Sequence, residues 1–227
     1  MTLKLAYYAT GGAAQPIRIL LHVLGQEYEN FTYTQNEKWQ ADKIKMDEDG
    51  QHFVNLPSLQ DGDIYITESG AIPYYLCQKY NKDLFGKNAL DTTRVLQIDG
   101  VLKDLNKSMV EPIFSTDKPK ETLSNAIADG AKAMKLIEKL AAFLGEKEFL
   151  LGYLTYADII LAYGILLCRS LFLSIELEDP FAKHPTLLKL AKRVYEHDAL
   201  KGYAESDKYF TFMDASYLPW YKEHPLP

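Results

Sequence analysis

The sequence predicts an α+β chain: a small βαβ-ββα domain followed by an all-helical one. Three observations predict it. Leu3 to Tyr8 and Tyr28 to Thr34 read as strands on either side of a helical run that begins at Pro16, a βαβ unit with a parallel pair and a right-handed crossover. Ser58-Leu59-Gln60 and Ile64-Tyr65-Ile66 flank Asp61-Gly62, the chemistry of a hairpin turn. Past Asn88 no segment reads as a sheet, and the apolar spacing is helical.

Taken in order, the leucines at 3 and 5 alternate along the first strand, and Ala9 to Ala14, with Gly11-Gly12, is a loop. Pro16 suits the first turn of a helix, whose apolar face is Ile17, Leu20, Leu21 and Val23-Leu24. Glu37 to Gln51 is polar and reads as a loop with at most one helical turn. Pro57 heads the third strand, where its missing N–H costs nothing and a cis bond is at home. Ser69 begins the helix that closes the domain near Tyr80. The domains are therefore residues 1–81, a polar linker 82–88, and a helical domain 89–227. In the second domain, Leu90 to Met109 and Glu121 to Leu144 have helical periodicity, with Pro112 and Pro119 between them. Thr155-Tyr-Ala-Asp158 is a capping box before the apolar run Ile159 to Leu173. Pro185 to Tyr195 and Leu200 to Glu205 follow as helices, then a tail rich in aromatics: Tyr209, Phe210, Phe212, Tyr217, Trp220 and Tyr221.

Composition narrows the function. The formal net charge of −6 argues against nucleic acid or an anionic membrane as the main partner. Met1 to Tyr8 carries no signal-peptide core, and Arg169-Ser170 breaks the longest apolar run, so no membrane span is expected. Cys77 and Cys168 both lie in apolar helical runs and read as buried free thiols in a reducing compartment, the cytoplasm. The five histidines are scattered without ligand spacing, so no metal is expected.

Chemistry concentrates in Asn55 to Ile72. A cis Leu56-Pro57 would turn the Leu56 backbone outward, free to pair with an extended peptide. Glu68 and Ser69 stand at a helix N-terminus, where orphan N–H groups attract a carboxylate. One stretch thus offers a peptide clamp and a carboxylate socket.

Four motifs in this order resemble the cytosolic glutathione transferases: KLAYY at 4–8, NLPSLQDG at 55–62, TESGAI at 67–72 and FLLGYLTYADIILA at 149–162. Trp39 and Lys43, four apart, are similar to the mu-class pair that holds the glycine carboxylate of glutathione, and the mu and sigma classes are nearest. The resemblance implies a thioredoxin-like first domain that binds glutathione as co-substrate, and a helical second domain with the electrophile pocket. It implies Tyr7 as the catalytic hydroxyl, with Trp39, Lys43, Asn55, Leu56, Pro57, Glu68 and Ser69 binding glutathione. Asp104 would reach the partner's glutathione across a homodimer, while Tyr8 and Phe114 would line the electrophile pocket. The chain departs from mu and sigma in three places: Gly11-Gly12 replaces Arg-Gly, the interval from Trp39 to Asn55 is longer, and Glu68 replaces Gln. The longer interval leaves Lys43 and Lys45 both open for the glycine carboxylate.

Plainer readings stand beside these. Tyr7 is one of 16 tyrosines and can merely pack, Ser69 can be only a helix cap, and Trp39 only a packing residue. Phe114 can be core, Asp104 a solvated charge, and the tail either a roof on the pocket or an ordinary C-terminus. Asp158 is structural on every reading. Three functions follow: conjugation of glutathione to apolar electrophiles, a glutathione-dependent isomerase (prostaglandin D synthase type) or peroxidase, and a non-enzymatic relative that keeps the fold.

Overall fold

Alternation along β1 (Leu3–Tyr8) sends Leu3 and Leu5 into the interior, both buried. The computed structural model describes residues 2–210. β1 runs parallel to β2 (Tyr28–Tyr33), joined through α1 (Gln15–Val23), with Pro16 in the first helical turn. The hairpin of β3 (Ser58–Asp61) and β4 (Ile64–Thr67) turns at Gly62, whose φ of 62° is open to glycine without strain. The sheet order is β2-β1-β3-β4, with only β2 parallel to β1. Leu59, Ile17, Leu20, Leu21 and, on α3 (Ala71–Tyr80), Ile72 and Leu76 are fully buried. Ala6 and the partly buried Tyr8 alternate to the other side, in a cluster with Tyr33, Trp39 and Val54.

One element of this unit differs from the sequence expectation. Residues read as loop form α2 (Asn36–Glu48), a helix of 13 residues. Only Trp39 is buried along it, so there is no apolar repeat to read. Its support is local, as in the Lys38–Asp42 pair one turn apart at 2.9 Å.

The chain divides into two compact units at Asn81, and of the described residues, 198–210 belong to the first unit. The sequence had grouped that segment with the helices. Its two short 3-10 turns, Asp198–Leu200 and Tyr203–Glu205, bury Leu200 and Tyr203. Of the aromatic tail, Phe212, Tyr217, Trp220 and Tyr221 lie outside the described residues.

In the second unit, the polar stretch after Asn81 is a 3-10 turn (Lys82–Phe85) that buries Leu84 and Phe85. α4 (Ala89–Met109) starts at Asn88, whose Oδ1 accepts the Asp91 amide at 3.0 Å. The single run expected over Glu121 to Leu144 is two helices, α5 (Pro119–Ala126) and α6 (Lys132–Leu144). Between them Gly130 takes φ +76°, which no helix continues through. α7 (Tyr156–Ser174) and α8 (Pro185–Tyr195) complete the unit. By length and composition α7 is apolar enough to cross a bilayer, contrary to the expectation that Arg169 and Ser170 would break it. One arginine, paired to Asp179 at 2.7 Å, is too little charge to break a 19-residue helix. Twelve of those residues, Asp158 included, are nevertheless buried in the unit, as in the core helix of a globular domain.

The capping box forms as its sequence predicts. The fully buried Asp158 carboxylate accepts the Thr155 amide and hydroxyl, each at 2.8 Å, and the Leu150 amide at 2.7 Å. Burial pushes this carboxyl up to about 6, against the pull of those hydrogen bonds. A folded-state value above that of the unfolded chain means that the fold holds the proton more tightly. The resulting stability is present below about pH 4 and lost as pH rises through about 6. Asp158→Asn cannot titrate. Urea unfolding should therefore show wild type leading the variant by about 1 kcal/mol more near pH 5 than near pH 8. A lead that is constant or shrinks toward pH 5 contradicts this account of the cap.

Candidate functional site

One end of the sheet gathers the residues singled out in the sequence. The β1–β3 register pairs Ala6 with Ser58, and the β3–β4 register pairs Ser58 with Thr67. Tyr7, Pro57 and Glu68 each adjoin one of these paired residues in the chain. Leu56-Pro57 is a cis peptide just ahead of β3.

The Tyr7 hydroxyl accepts the Ala13 amide at 3.2 Å. That amide belongs to the 3-10 turn Gly12–Ala14, which leads directly into α1. The oxygen accepts here and its one O–H remains to donate, as stabilising an anionic sulfur requires. Gly12 is the glycine that this chain shares with the Arg-Gly of the related classes, and its place is physically determined. A Cβ there would lie 2.7 Å from Tyr7 Oη and 2.8 Å from Cε1, and its φ of +44° disfavours any side chain. The glycine thus makes room for the tyrosine.

Tyr8 turns to the opposite face, as strand alternation requires. Its ring packs on the Ala6–Tyr33–Trp39–Val54 cluster, and its hydroxyl donates to Asn36 Oδ1 at 3.1 Å.

Trp39 is 5% exposed and meets the Tyr33 ring edge-on at 5.3 Å between centroids. Packing is therefore a role it certainly has. Lys43 lies one turn further on the same helix face and is half-buried, whereas Lys45 is exposed. Their different burial separates two lysines that the sequence left equivalent.

At the hairpin's exit Glu68 takes φ +74°, a conformation that costs a non-glycine residue about 1 kcal/mol or more and gathers at functional sites. Its carbonyl accepts the amides of Ala71 and Ile72, each at 3.1 Å. The helix therefore starts later than expected. Ser69 precedes it, the N-cap is Gly70, and no side chain caps α3. Ser69 is thus not the cap that the plainer reading made it. Beside it, Asn55 Nδ2 donates to Glu68 Oε1 at 3.2 Å, and Thr67 Oγ1 donates to the Phe53 carbonyl at 2.8 Å. Glu68 and Asn55 are both exposed, a carboxylate and an amide side by side.

Two predicted residues belong to the second unit. Asp104 pairs with Lys132 at 3.1 Å, both well exposed. Such a pair is worth under about 1 kcal/mol and yields readily to a better partner. Phe114 is 59% exposed in the turn Glu111–Ser115, so it is not core. Burial pushes the thiols of Cys77 and Cys168 up to about 12, so neither is a nucleophile near neutral pH. Among the described residues no three His, Cys, Asp or Glu side chains gather as a metal site would need. In the C-terminal segment Tyr209 packs edge-on against Tyr203 at 5.4 Å, and the Phe210 ring lies 4.3 Å from the Arg18 guanidinium. Those two aromatics thus pack within the first unit.

The sequence reading missed the Ala13 amide, Asn36 and Arg18. Backbone amides leave no mark in a sequence. Arg18 did leave one, as a charge between Ile17 and Ile19 in an otherwise apolar helix.

Comparison with known proteins identifies the family. Residues 3–78 match the model of the glutathione S-transferase N-terminal domain, and residues 103–207 that of the C-terminal domain. A class-mu 26 kDa glutathione S-transferase (isozyme 51) of Fasciola hepatica is 30% identical over 212 residues, covering 92% of this chain and 91% of its own. Glutathione S-transferase Mu 4 of Mus musculus is 31% identical over 180 residues, 76% of this chain and 78% of its own. Among solved structures, "rat hPGDS complexed with a quinoline" superposes with a TM-score of 0.75 at 25% identity, over 90% of this chain and 96% of that one. A Pi-class glutathione S-transferase of Onchocerca volvulus gives 0.73 at 26% identity, over 90% and 93%. With both domains matched in order and a relative aligned over nine-tenths of its length, the chain belongs to the glutathione S-transferase family.

Proposed function

We propose that this chain conjugates glutathione through its sulfur to apolar electrophiles, with Tyr7 donating the hydrogen bond that holds the sulfur as a thiolate. The observation that carries this reading is the Ala13 amide donating to the Tyr7 hydroxyl, which occupies an acceptor site of the oxygen and leaves its one proton to donate. In this reading the glutathione backbone pairs with Leu56 ahead of Pro57. Its glycine carboxylate meets Lys43 beside Trp39, and its γ-glutamyl end meets Asn55, Glu68 and Ser69. The Glu68 carboxylate takes the ammonium and Ser69 the carboxylate, so each charge of that zwitterion has its own residue. Tyr8 and Phe114 face the electrophile. The protein works in the cytoplasm, a reading supported by its two free, buried cysteines. A glutathione-dependent isomerase of prostaglandin D synthase type, or a peroxidase, would use the same thiolate. Turnover on chloronitrobenzene, hydroperoxide and endoperoxide substrates separates the three.

The reading extends to a homodimer in which Asp104 of one subunit exchanges Lys132 for the neighbour's glutathione. Phe53 supports it: the ring is 87% exposed, while its backbone is held at φ 58° and its carbonyl is bonded to Thr67. An apolar ring open to water on a backbone that is itself held suits an interface. Light scattering should report twice the 25.9 kDa chain mass, and Phe53→Ser should shift the species toward the monomer. A single-chain mass for wild type at micromolar concentration contradicts the dimer.

Turnover and binding test the site directly. Tyr7→Phe should lower turnover near neutral pH by ~10²-fold and leave glutathione affinity within about threefold. Gly12→Ala should push the Tyr7 ring aside and reproduce most of that loss, although residue 12 itself has no chemistry. In the same binding assay Glu68→Ala should weaken glutathione about tenfold or more, and leave unchanged an analogue lacking the γ-glutamyl amine. Full turnover in Tyr7→Phe, or equal losses for both ligands in Glu68→Ala, contradicts the corresponding role.

A further inference from the structure

Arg18 is fully buried on α1, among Ile17, Ile19, Leu20 and Leu21, which are buried as completely. Enclosing a guanidinium costs several kcal/mol unless its donors are used. Its donors are used on one particular stretch of chain. Nη1 donates to the carbonyls of Thr10 at 2.8 Å and Gly11 at 3.4 Å, and to Gln15 Oε1 at 3.3 Å. Nη2 reaches the Tyr8 carbonyl at 3.5 Å, and Nε donates to Asn30 Oδ1 on β2 at 3.0 Å. The three carbonyls belong to residues 8, 10 and 11, between the Tyr7 side chain and the Gly12–Ala13 peptide that meets its hydroxyl. Glycines at 11 and 12 give that loop little stiffness of its own.

We propose that Arg18 is a positioning residue: its fork holds the loop after β1 in the conformation that sets the Ala13 amide against the Tyr7 hydroxyl. The inference rests on the role of Tyr7 proposed above. The C-terminal segment braces the fork from behind. Phe210 stacks on the guanidinium, and Gln15, itself buried, donates through Nε2 to Tyr203 Oη at 2.8 Å. A planar fork is required because one side chain must reach three backbone carbonyls and two side-chain amides. A lysine carries the same charge but not that geometry.

The test is a double-mutant cycle between residues 18 and 7, read with glutathione and chloronitrobenzene. Arg18→Lys alone should lower kcat about tenfold or more near neutral pH, and keep KM for glutathione within about twofold. It should also move the rise of kcat/KM with pH upward by about one unit, so that rate returns at high pH. In a Tyr7→Phe background the same change should add almost nothing. Asn30→Ala frees only the Nε end and should show the same pattern at about threefold, which keeps the proposal testable if the Arg18 variant does not fold. Losses that multiply in the double variants, or a lysine that sustains full rate, overturn the positioning role. A Tyr7→Phe enzyme with undiminished turnover overturns the Tyr7 reading itself, and the Arg18 inference with it.

Discussion

The hydrogen bond of 3.2 Å from the Ala13 amide to the Tyr7 hydroxyl is the contact on which the rest of the site depends. It joins the end of β1 to the start of α1, so strand, loop and helix must all be in place for it to form. Gly12 is the residue that permits it, because any Cβ would occupy the space of the phenol. In the proposed function it also serves the chemistry. A tyrosine hydroxyl has one proton to give, and an amide already at its oxygen keeps that proton available.

A second constraint works at the other side of the sheet end. Glu68 is held in the left-handed region, and its carbonyl closes the first turn of α3. The same residue therefore bends the backbone into the helix and presents its carboxylate beside Asn55. Strain of about 1 kcal/mol is easily carried where two amides bond the strained residue's carbonyl. The two constraints meet because antiparallel pairing sets Ala6, Ser58 and Thr67 level across three strands, and Tyr7 and Glu68 directly follow the first and the last of these.

Much of this was legible in the sequence because it was written in period or in turn chemistry. Leu3 and Leu5 fixed the faces of β1, Asp61-Gly62 fixed the hairpin, and Thr155 and Asp158 fixed the start of α7. α2 was illegible because a helix that buries only Trp39 has no apolar repeat. The break at Gly130 was hidden inside a continuous helical pattern, since one glycine is tolerated in many helices. The return of Asp198 to Phe210 to the first unit is a long-range contact with no local signature. Of the candidate site, the side chains at 7, 39, 43, 55 and 68 came from motifs. The features that arrange them, an amide at 13, a missing Cβ at 12 and a guanidinium at 18, emerge only when the chain is folded.

The central claim is that the folded loop delivers one hydrogen-bond donor to a sulfur anion. Ultraviolet titration of the glutathione thiol bound to the wild-type protein tests it most directly, because the thiolate absorbs where the thiol does not. The account predicts a bound thiol that ionises about two units below the free-thiol value near 8.5, and that is therefore mostly thiolate at neutral pH. A bound thiol that titrates as it does in free solution would contradict it.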